Sequence, residues 1–411
     1  VTVFELDTLA DGLAGLKPVR AQRRRCLPAL SPKSACTRCR DVCPEGAIRL
    51  DPGPALSDCS ACGLCAAVCP TDAFVLDGPS DQELAGQAGA AAARFGAVAV
   101  ACARVSARGP QVITVKCLGR LVPELLLGMA AAGARRIELV RPDTGCGKCS
   151  HAAGGRLADA AALEAGRILR ELGRDCPLAF VCQPSPPVAL KDAPPAVPQV
   201  NEDRRSFLLS AFGLLRQTAP AKLAGLGPVV AVAPSVAPLP AQTWAKPAGV
   251  RSVHRELLLQ VLPRLAPQLA PRLEPQLAPR LEPGSAVRWR AARPELTGFC
   301  PHCGICGALC PEQAIALVAH GASTRLEHSA QRCLGCGLCA TVCPVAALTM
   351  ADSFPLADLA NPAARPLGEP LVFRCSGCGE SATGTAAASE NEQLCLACTV
   401  RRSIQGVGEV G

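Results

Sequence analysis

The sequence predicts a multidomain α+β chain. Two compact cysteine-rich modules, a central α/β domain on a parallel sheet and a small C-terminal four-cysteine knuckle are joined by proline-rich linkers. Three observations predict this. The 26 cysteines among 411 residues fall in clusters rather than singly. Between two of these clusters, apolar strand-like runs alternate with Ala/Leu-rich helical runs, the pattern of a parallel sheet. Two further stretches carry frequent proline and little hydrophobic periodicity, as linkers do. The length allows two or three domains of about 100–200 residues each.

Composition narrows the function classes. The chain is far longer than the small secreted domains that depend on disulfides, so its thiols are expected to be reduced and to serve as ligands. Aromatic residues are 3% with no Tyr, which argues against a stacking platform for single-stranded nucleic acid. Residues Val1 to Leu16 carry Glu5, Asp7 and Asp11 and lack the basic and apolar regions of a signal peptide. The apolar run from Leu84 to Ala103 is broken by Gln87 and Arg94, and the run from Leu223 to Ala241 by four prolines, so neither reads as a membrane span. A soluble, cytoplasmic protein is expected.

The first module covers residues 26–78. Cys59, Cys62, Cys65 and Cys69, followed by Pro70, read C-x2-C-x2-C-x3-C-P, the run that ligates [4Fe–4S] clusters. Three cysteines two residues apart wrap one corner of a cubane, and the fourth, before proline, points to the other cluster. The companion run, Cys36, Cys39 and Cys43 with Pro44, lacks one ligand, because Lys33 stands in its place. Cys26 is the natural substitute. Without it, a three-iron cluster or a loop-ligated cubane is the alternative. The second module, residues 296–351, has two complete runs: Cys300, Cys303, Cys306 and Cys310 before Pro311, and Cys333, Cys336, Cys339 and Cys343 before Pro344. After each Cys-Pro a short turn leads into an apolar strand: CPEGAIRL, CPTDAFVL, CPEQAIAL, CPVAALTM.

These repeats resemble the bacterial 2[4Fe–4S] ferredoxin family. The resemblance implies a small α+β fold around two clusters per module, with crossed ligation. Cys26, Cys36, Cys39 and Cys69 would hold one cluster, and Cys59, Cys62, Cys65 and Cys43 the next. In the second module Cys300, Cys303, Cys306 and Cys343 would face Cys333, Cys336, Cys339 and Cys310. The expected cofactors are therefore four [4Fe–4S] clusters.

Residues 84–182 alternate strand and helix. Strands are expected at Phe95–Ala101, Val112–Lys116, Ile137–Val140 and Leu178–Val181, and helices at Leu121–Gly133, with Pro123 in its first turn, and at Gly155–Leu172. Cys102, Cys117, Cys146 and Cys149 fall where strands end, which is where open α/β sheets place their sites. By their positions alone they could be buried thiols, a zinc site or a cluster site. The segment resembles the small iron–sulfur subunit shared by methyl-viologen-reducing hydrogenases and heterodisulfide reductases. That resemblance is carried by Cys102, the run from Val115 to Leu121 with Pro123, Glu124 and Leu125, and the Gly145–Cys149 run. It implies a [2Fe–2S] cluster on those four cysteines, relaying electrons between a flavin or hydrogenase and a partner. The family's C-x2-C near Cys102 is absent here. Cys176 and Cys182 flank one strand and are expected to pack in the core.

Residues 183–295 read as a proline-rich linker with a helical segment. An amphipathic helix is expected after Asn201, and Asp203–Leu209 has the look of a twin-arginine motif far from any N-terminus. Over 263–283 proline recurs every fourth residue around a tandem octapeptide, which rules out a regular helix and suggests an extended spacer. Such a spacer would let the two modules sit apart or dock on each other. Over 370–402, Cys375, Cys378, Cys395 and Cys398 make C-x2-C-x16-C-x2-C. This zinc-ribbon spacing fits one zinc ion, and a mono-iron site shares it.

None of the five histidines sits in a catalytic motif, and no phosphate-binding glycine loop is present. The sequence therefore reads as an electron-transfer protein or subunit, not an enzyme by itself, serving a larger redox enzyme of hydrogenase, heterodisulfide reductase or formate dehydrogenase type. The alternatives are an accessory factor for a molybdenum, tungsten or nickel enzyme, and a redox-sensing regulator. The formal charge of +8 counts every thiol as neutral. A cubane with four thiolates carries roughly −2, so four of them cancel about −8 and remove the argument for nucleic acid.

Overall fold

A computed structural model describes residues 19–51, 53–183, 252–265, 292–320, 323–351, 354, 357–386 and 393–405. In the first cysteine-rich module the chain runs through β1 (Val19–Ala21), α1 (Leu27–Leu30), α2 (Arg38–Val42), β2 (Ile48–Arg49), β3 (Ala55–Leu56), α3 (Leu64–Val68) and β4 (Phe74–Leu76). β1 pairs antiparallel with β4, and β2 with β3. The elements are short because they enclose sulfur rather than a broad apolar layer. Half of the buried residues in this core are Cys26, Cys39, Cys65 and Cys69, packed with Val19, Ile48, Ala73 and Phe74.

The central domain follows as α4 (Asp81–Phe95), β5 (Ala97–Cys102), β6 (Val112–Val115), α5 (Pro123–Ala131), β7 (Arg136–Pro142), α6 (Ala152–Glu171) and β8 (Leu178–Gln183). Ser80 and Glu83 form a reciprocal capping box at the start of α4. Gly96, at φ 70°, ends it, so Phe95 closes the helix instead of opening the strand. The sheet has the order β6-β5-β7-β8 and is parallel throughout, as the alternating pattern predicts. Its core joins Val98, Val100, Ile137 and Leu139 to Leu125, Leu126, Ile168 and Leu169.

α7 (Val253–Leu265) lies in the stretch read as linker, yet it is packed into this core. Leu257, Leu258, Val261, Leu262 and Leu265 are buried in it. The helix contains Pro263, against the expectation that proline spacing excludes helix from residue 263 onward. An interior proline costs about 3 kcal/mol. Burying each such Leu or Val contributes about 1.5–3 kcal/mol, so five of them outweigh it. The Asp203–Leu209 segment, the helix expected after Asn201 and the tandem octapeptide lie outside the described residues.

The second module comprises β9 (Pro294–Leu296), α8 (Ile305–Leu309), β10 (Ile315–His320), β11 (Ser323–His328), α9 (Leu338–Val342) and β12 (Leu348–Met350), followed by α10 (Ala357–Ala360) and β13 (Arg365–Pro366). β9 pairs with β12, β10 with β11, and β13 extends the second pair. The C-terminal piece is the hairpin β14 (Glu369–Arg374) and β15 (Ser381–Ala386), then α11 (Leu396–Gln405). The hairpin rests on the second module through Phe299, edge-on to Phe373 at 4.8 Å, and through Cys300, whose backbone pairs with Thr385.

The two cysteine-rich modules dock on each other. Leu27 of α1 packs with Leu338 and Val342 of α9, and a buried Arg25–Glu312 ion pair crosses the junction. Among the described residues no helix is long and apolar enough to cross a membrane.

Candidate functional site

The cysteine loops have a backbone requirement that the sequence reveals. In three of the four runs the residue after the second cysteine is a glycine in the left-handed region: Gly63 at φ 84°, Gly304 at 73° and Gly337 at 76°. Each starts the short helix that carries the third cysteine, and a side chain there would be strained. The incomplete run has Thr37 at this position, at φ −124°.

The structure brings the cysteines together in the crossed sets. One cavity is lined by Cys26, Cys36, Cys39 and Cys69, and the next by Cys43, Cys59, Cys62 and Cys65. Cys26 therefore stands where the incomplete run needs a fourth sulfur, and Lys33 does not line that cavity. In the second module Cys310, Cys333, Cys336 and Cys339 line one cavity. Cys300, Cys303, Cys306 and Cys343 lie within electrostatic reach of one another.

These sulfurs are prepared for metal. In three of the four runs the cysteine before proline accepts a backbone N–H: Ala73 N to Cys69 Sγ 3.2 Å, Ala314 N to Cys310 Sγ 3.2 Å and Ala347 N to Cys343 Sγ 3.3 Å. Such bonds stabilise thiolate and tune a bound cluster. Burial, reinforced by neighbouring sulfurs, pushes the free thiols up, Cys39, Cys306 and Cys336 to about 12. Four mutually repelling thiolates in one cavity need a cation to coexist. The donor sets thus fit a multi-iron centre.

At the central domain Cys102 ends β5, Cys117 follows β6, and Cys146 and Cys149 follow β7, and all four line one opening with Arg104, Lys116 and His151. The first turn of α6 closes tightly over it. A Cβ on Gly154 would overlap Cys117 Sγ, and one on Gly155 would come within 2.7 Å of Cys146 Cβ. Gly119 N donates to Cys117 Sγ at 3.4 Å and His151 N to Cys149 Sγ at 3.4 Å. Cys176 is buried and its thiol donates to Ala134 O at 3.0 Å, as a core residue would. Cys182, expected in the core with it, is exposed, because β8 is an edge strand and turns this side chain outward.

The C-terminal four differ in scale. Among the described residues, only Cys375, Cys378, Cys395 and Cys398 hold all their sulfurs within 4.8 Å of one another. Cys378 and Cys395 Sγ are 3.8 Å apart. Metal–sulfur bonds of about 2.3 Å in a tetrahedron give edges of about 3.8 Å, so this site has the size of a single ion. Cys375, accepting N–H from Cys395 at 3.2 Å and Gly377 at 3.4 Å, is held down to about 6. The other sets, including the central one, are too wide for one ion to engage all four sulfurs.

Sequence reasoning missed how the sets are joined and what sits between them. Cys39 and Cys65 are neighbours within the first module, and Cys306 and Cys339 within the second. Cys36 and Cys336 flank one apolar cluster across the module junction. Cys62 and Cys117 share another with Leu64 and Leu157. Beside the module junction α7 delivers a buried polar group. His254 lies between Asp72, at 2.6 Å, and Asp81, at 2.7 Å, Ser252 donates to Asp72, and Arg255 donates to the carbonyl of Cys333. With both ring nitrogens on carboxylates, His254 is read as an imidazolium. No local pattern announces these residues, because their partners lie about 180 positions away for Asp72 and 78 for Cys333.

Residues 299–347 match the family model of the 4Fe-4S dicluster domain, and residues 56–75 that of the 4Fe-4S binding domain. No curated protein and no solved structure matches the chain significantly. The two domain matches, with the cavities described above, identify this chain as an iron–sulfur protein that carries ferredoxin-type 4Fe–4S domains and serves electron transfer.

Proposed function

We propose that the chain is a relay of five redox centres in series. Four [4Fe–4S] clusters would occupy the sets of Cys300/303/306/343, Cys310/333/336/339, Cys26/36/39/69 and Cys43/59/62/65, in that order. A [2Fe–2S] cluster on Cys102, Cys117, Cys146 and Cys149 would end the series, and a zinc ion on Cys375, Cys378, Cys395 and Cys398 would brace the C-terminal hairpin. The observation that supports this reading is the run of contacts between sets: Cys306 lies within electrostatic reach of Cys339, Cys39 of Cys65 and Cys62 of Cys117, and Cys336 and Cys36 flank one apolar cluster. Each centre, when bound, accepts and releases single electrons, and tunnelling between centres falls steeply with distance, so close ligand packing is what a relay needs.

The polypeptide's part is to bury the thiols, donate N–H to them and keep water out, which sets potentials. Arg38, Arg40 and Lys148 stand beside ligands in sequence, where positive charge favours the reduced centre. The absence of a catalytic motif suits a subunit serving a larger redox enzyme of hydrogenase, heterodisulfide reductase or formate dehydrogenase type. Iron, sulfide and zinc assays with EPR of the reduced protein test the reading. About 18 irons and one zinc per chain are expected, and fewer than about twelve irons would overturn the four-cubane relay.

A further inference from the structure

The two ends of the proposed series are unlike. At one end, the loop of Cys300 is covered by the C-terminal hairpin. Cys300 exchanges two backbone hydrogen bonds with Thr385, at 2.8 and 3.0 Å, and His302 Nε2 lies 2.6 Å from Thr385 Oγ1. At the other end the central site is open. Cys102 and Cys117 are buried, but Cys146 and Cys149 are only half-buried beneath the surface.

The mouth of that open end carries positive charge. Arg104 and Lys116 line it, and the exposed Lys148 stands between its two half-buried cysteines. Arg108 and Arg156 are exposed on the flanking loop and on α6. The nearby acids are fewer. Glu45 faces His151 at 3.8 Å, Asp143 is exposed, and Asp159 is already paired with Arg141 at 3.0 Å. Ala103, Gly147 and Ser150, also exposed, are short and leave the approach to Cys146 and Cys149 unobstructed.

We infer that this mouth is the docking face for an acidic one-electron carrier protein. The inference rests on the relay reading, since a docking face matters only if the centre beneath it exchanges electrons. Cations ringing a recessed centre steer an acidic partner and orient it with its own centre towards the opening, an effect on association rate that salt screens. An electron then passes from the partner's reduced centre, which is oxidised by one, to the central site, which is reduced by one. At the far end Cys303 and Cys343 are also half-buried, but the C-terminal hairpin lies over the loop of Cys300 and His302.

The experiment uses the anaerobically reconstituted full-length protein. Stopped-flow absorbance follows its reduction by a reduced, acidic plant-type [2Fe–2S] ferredoxin and, separately, by the methyl viologen radical. The double variant Arg108→Glu/Arg156→Glu, at exposed positions outside the ligand loops, is compared with wild type at equal iron content. The ferredoxin rate constant is expected to fall about tenfold in the variant at low salt, and in wild type as salt is raised to about 0.5 M, while reduction by methyl viologen is not slowed. Equal ferredoxin rates in variant and wild type, or a wild-type rate insensitive to salt, would overturn the docking face. Duplex DNA binding that displaces the ferredoxin and is lost in the double variant would also overturn it. If methyl viologen reduces none of the centres, the relay reading itself fails, and that outcome is separable from the others.

Discussion

Cys62 of the first ferredoxin-type module and Cys117 of the central domain are buried in one small apolar cluster with Leu64 and Leu157. They are ligands assigned to different centres, and they come from parts of the chain with different folds. Burial pushes the Cys117 thiol up to about 12, and the neighbouring Cys102 and Cys62 add to it. The two sites are therefore electrostatically joined as well as packed together.

The packing at that contact has a sharp steric test. Gly154→Ala would place a methyl group over Cys117 Sγ. In an unconstrained helix, Gly to Ala stabilises by about 1 kcal/mol. Here the opposite sign is expected, with loss or distortion of the central centre and no loss of the four cubanes. Iron content and EPR before and after the substitution check this, and an unaltered central signal would contradict the assignment of Cys117.

Cys26, ten residues upstream of the incomplete run, lines its cavity and is the ligand we propose for it. Cys26→Ala is expected to remove about four irons, or to convert one cubane to a three-iron centre with its own EPR signature in the oxidised protein. Lys33→Ala, at the vacant motif position, is expected to leave the iron count unchanged.

Arg255 is expected to act as a positioning residue for the cluster proposed on Cys310, Cys333, Cys336 and Cys339. Its guanidinium is buried and bonded to the Cys333 carbonyl, near Glu124, Glu312 and Asp72. Arg255→Met removes a positive charge that favours the reduced cluster, so that cluster's midpoint potential is expected to fall while the others hold. Arg255→Lys should recover part of the shift. EPR-monitored redox titration reads both, and a wild-type potential in the Met variant would refute the role.

His328 gives the protein an acid-sensitive point. It is buried, its Nε2 has no hydrogen-bond partner among the described residues, and Arg293, Arg255 and Arg365 add to the burial that lowers it to about 4. The unfolded value is about 6.5, so the unfolded chain binds this proton first as pH falls. The stability it contributes is present above about pH 6.5 and is lost on acidification through pH 4, to a limit of about 3 kcal/mol. Anaerobic denaturation curves between pH 7 and 4 should show a weaker pH dependence for His328→Asn than for wild type.

The chemistry of this protein is legible in its sequence, because ligand spacing is a local property. Cys-x2-Cys-x2-Cys, the glycine that turns the loop and the proline after the last cysteine act within a dozen residues, so the cysteine sets and their sulfur-rich cores can be read directly. The same holds for the parallel sheet, since strand and helix periodicities are local, while its strand order β6-β5-β7-β8 comes from the structure. The series did not follow from local rules. Cys36 and Cys336 flank one apolar cluster, and Cys62 and Cys117 share another, only because α1 packs on α9 and α3 on the turn after Cys117. Ser252, His254 and Arg255 enter the module junction only because α7, read as linker for its prolines, buries five apolar side chains in the central core. Those contacts join residues far apart in the chain, where the gain from burial and not the neighbouring sequence selects the partner, so the cysteine sets belong to the sequence and the contacts between them belong to the fold.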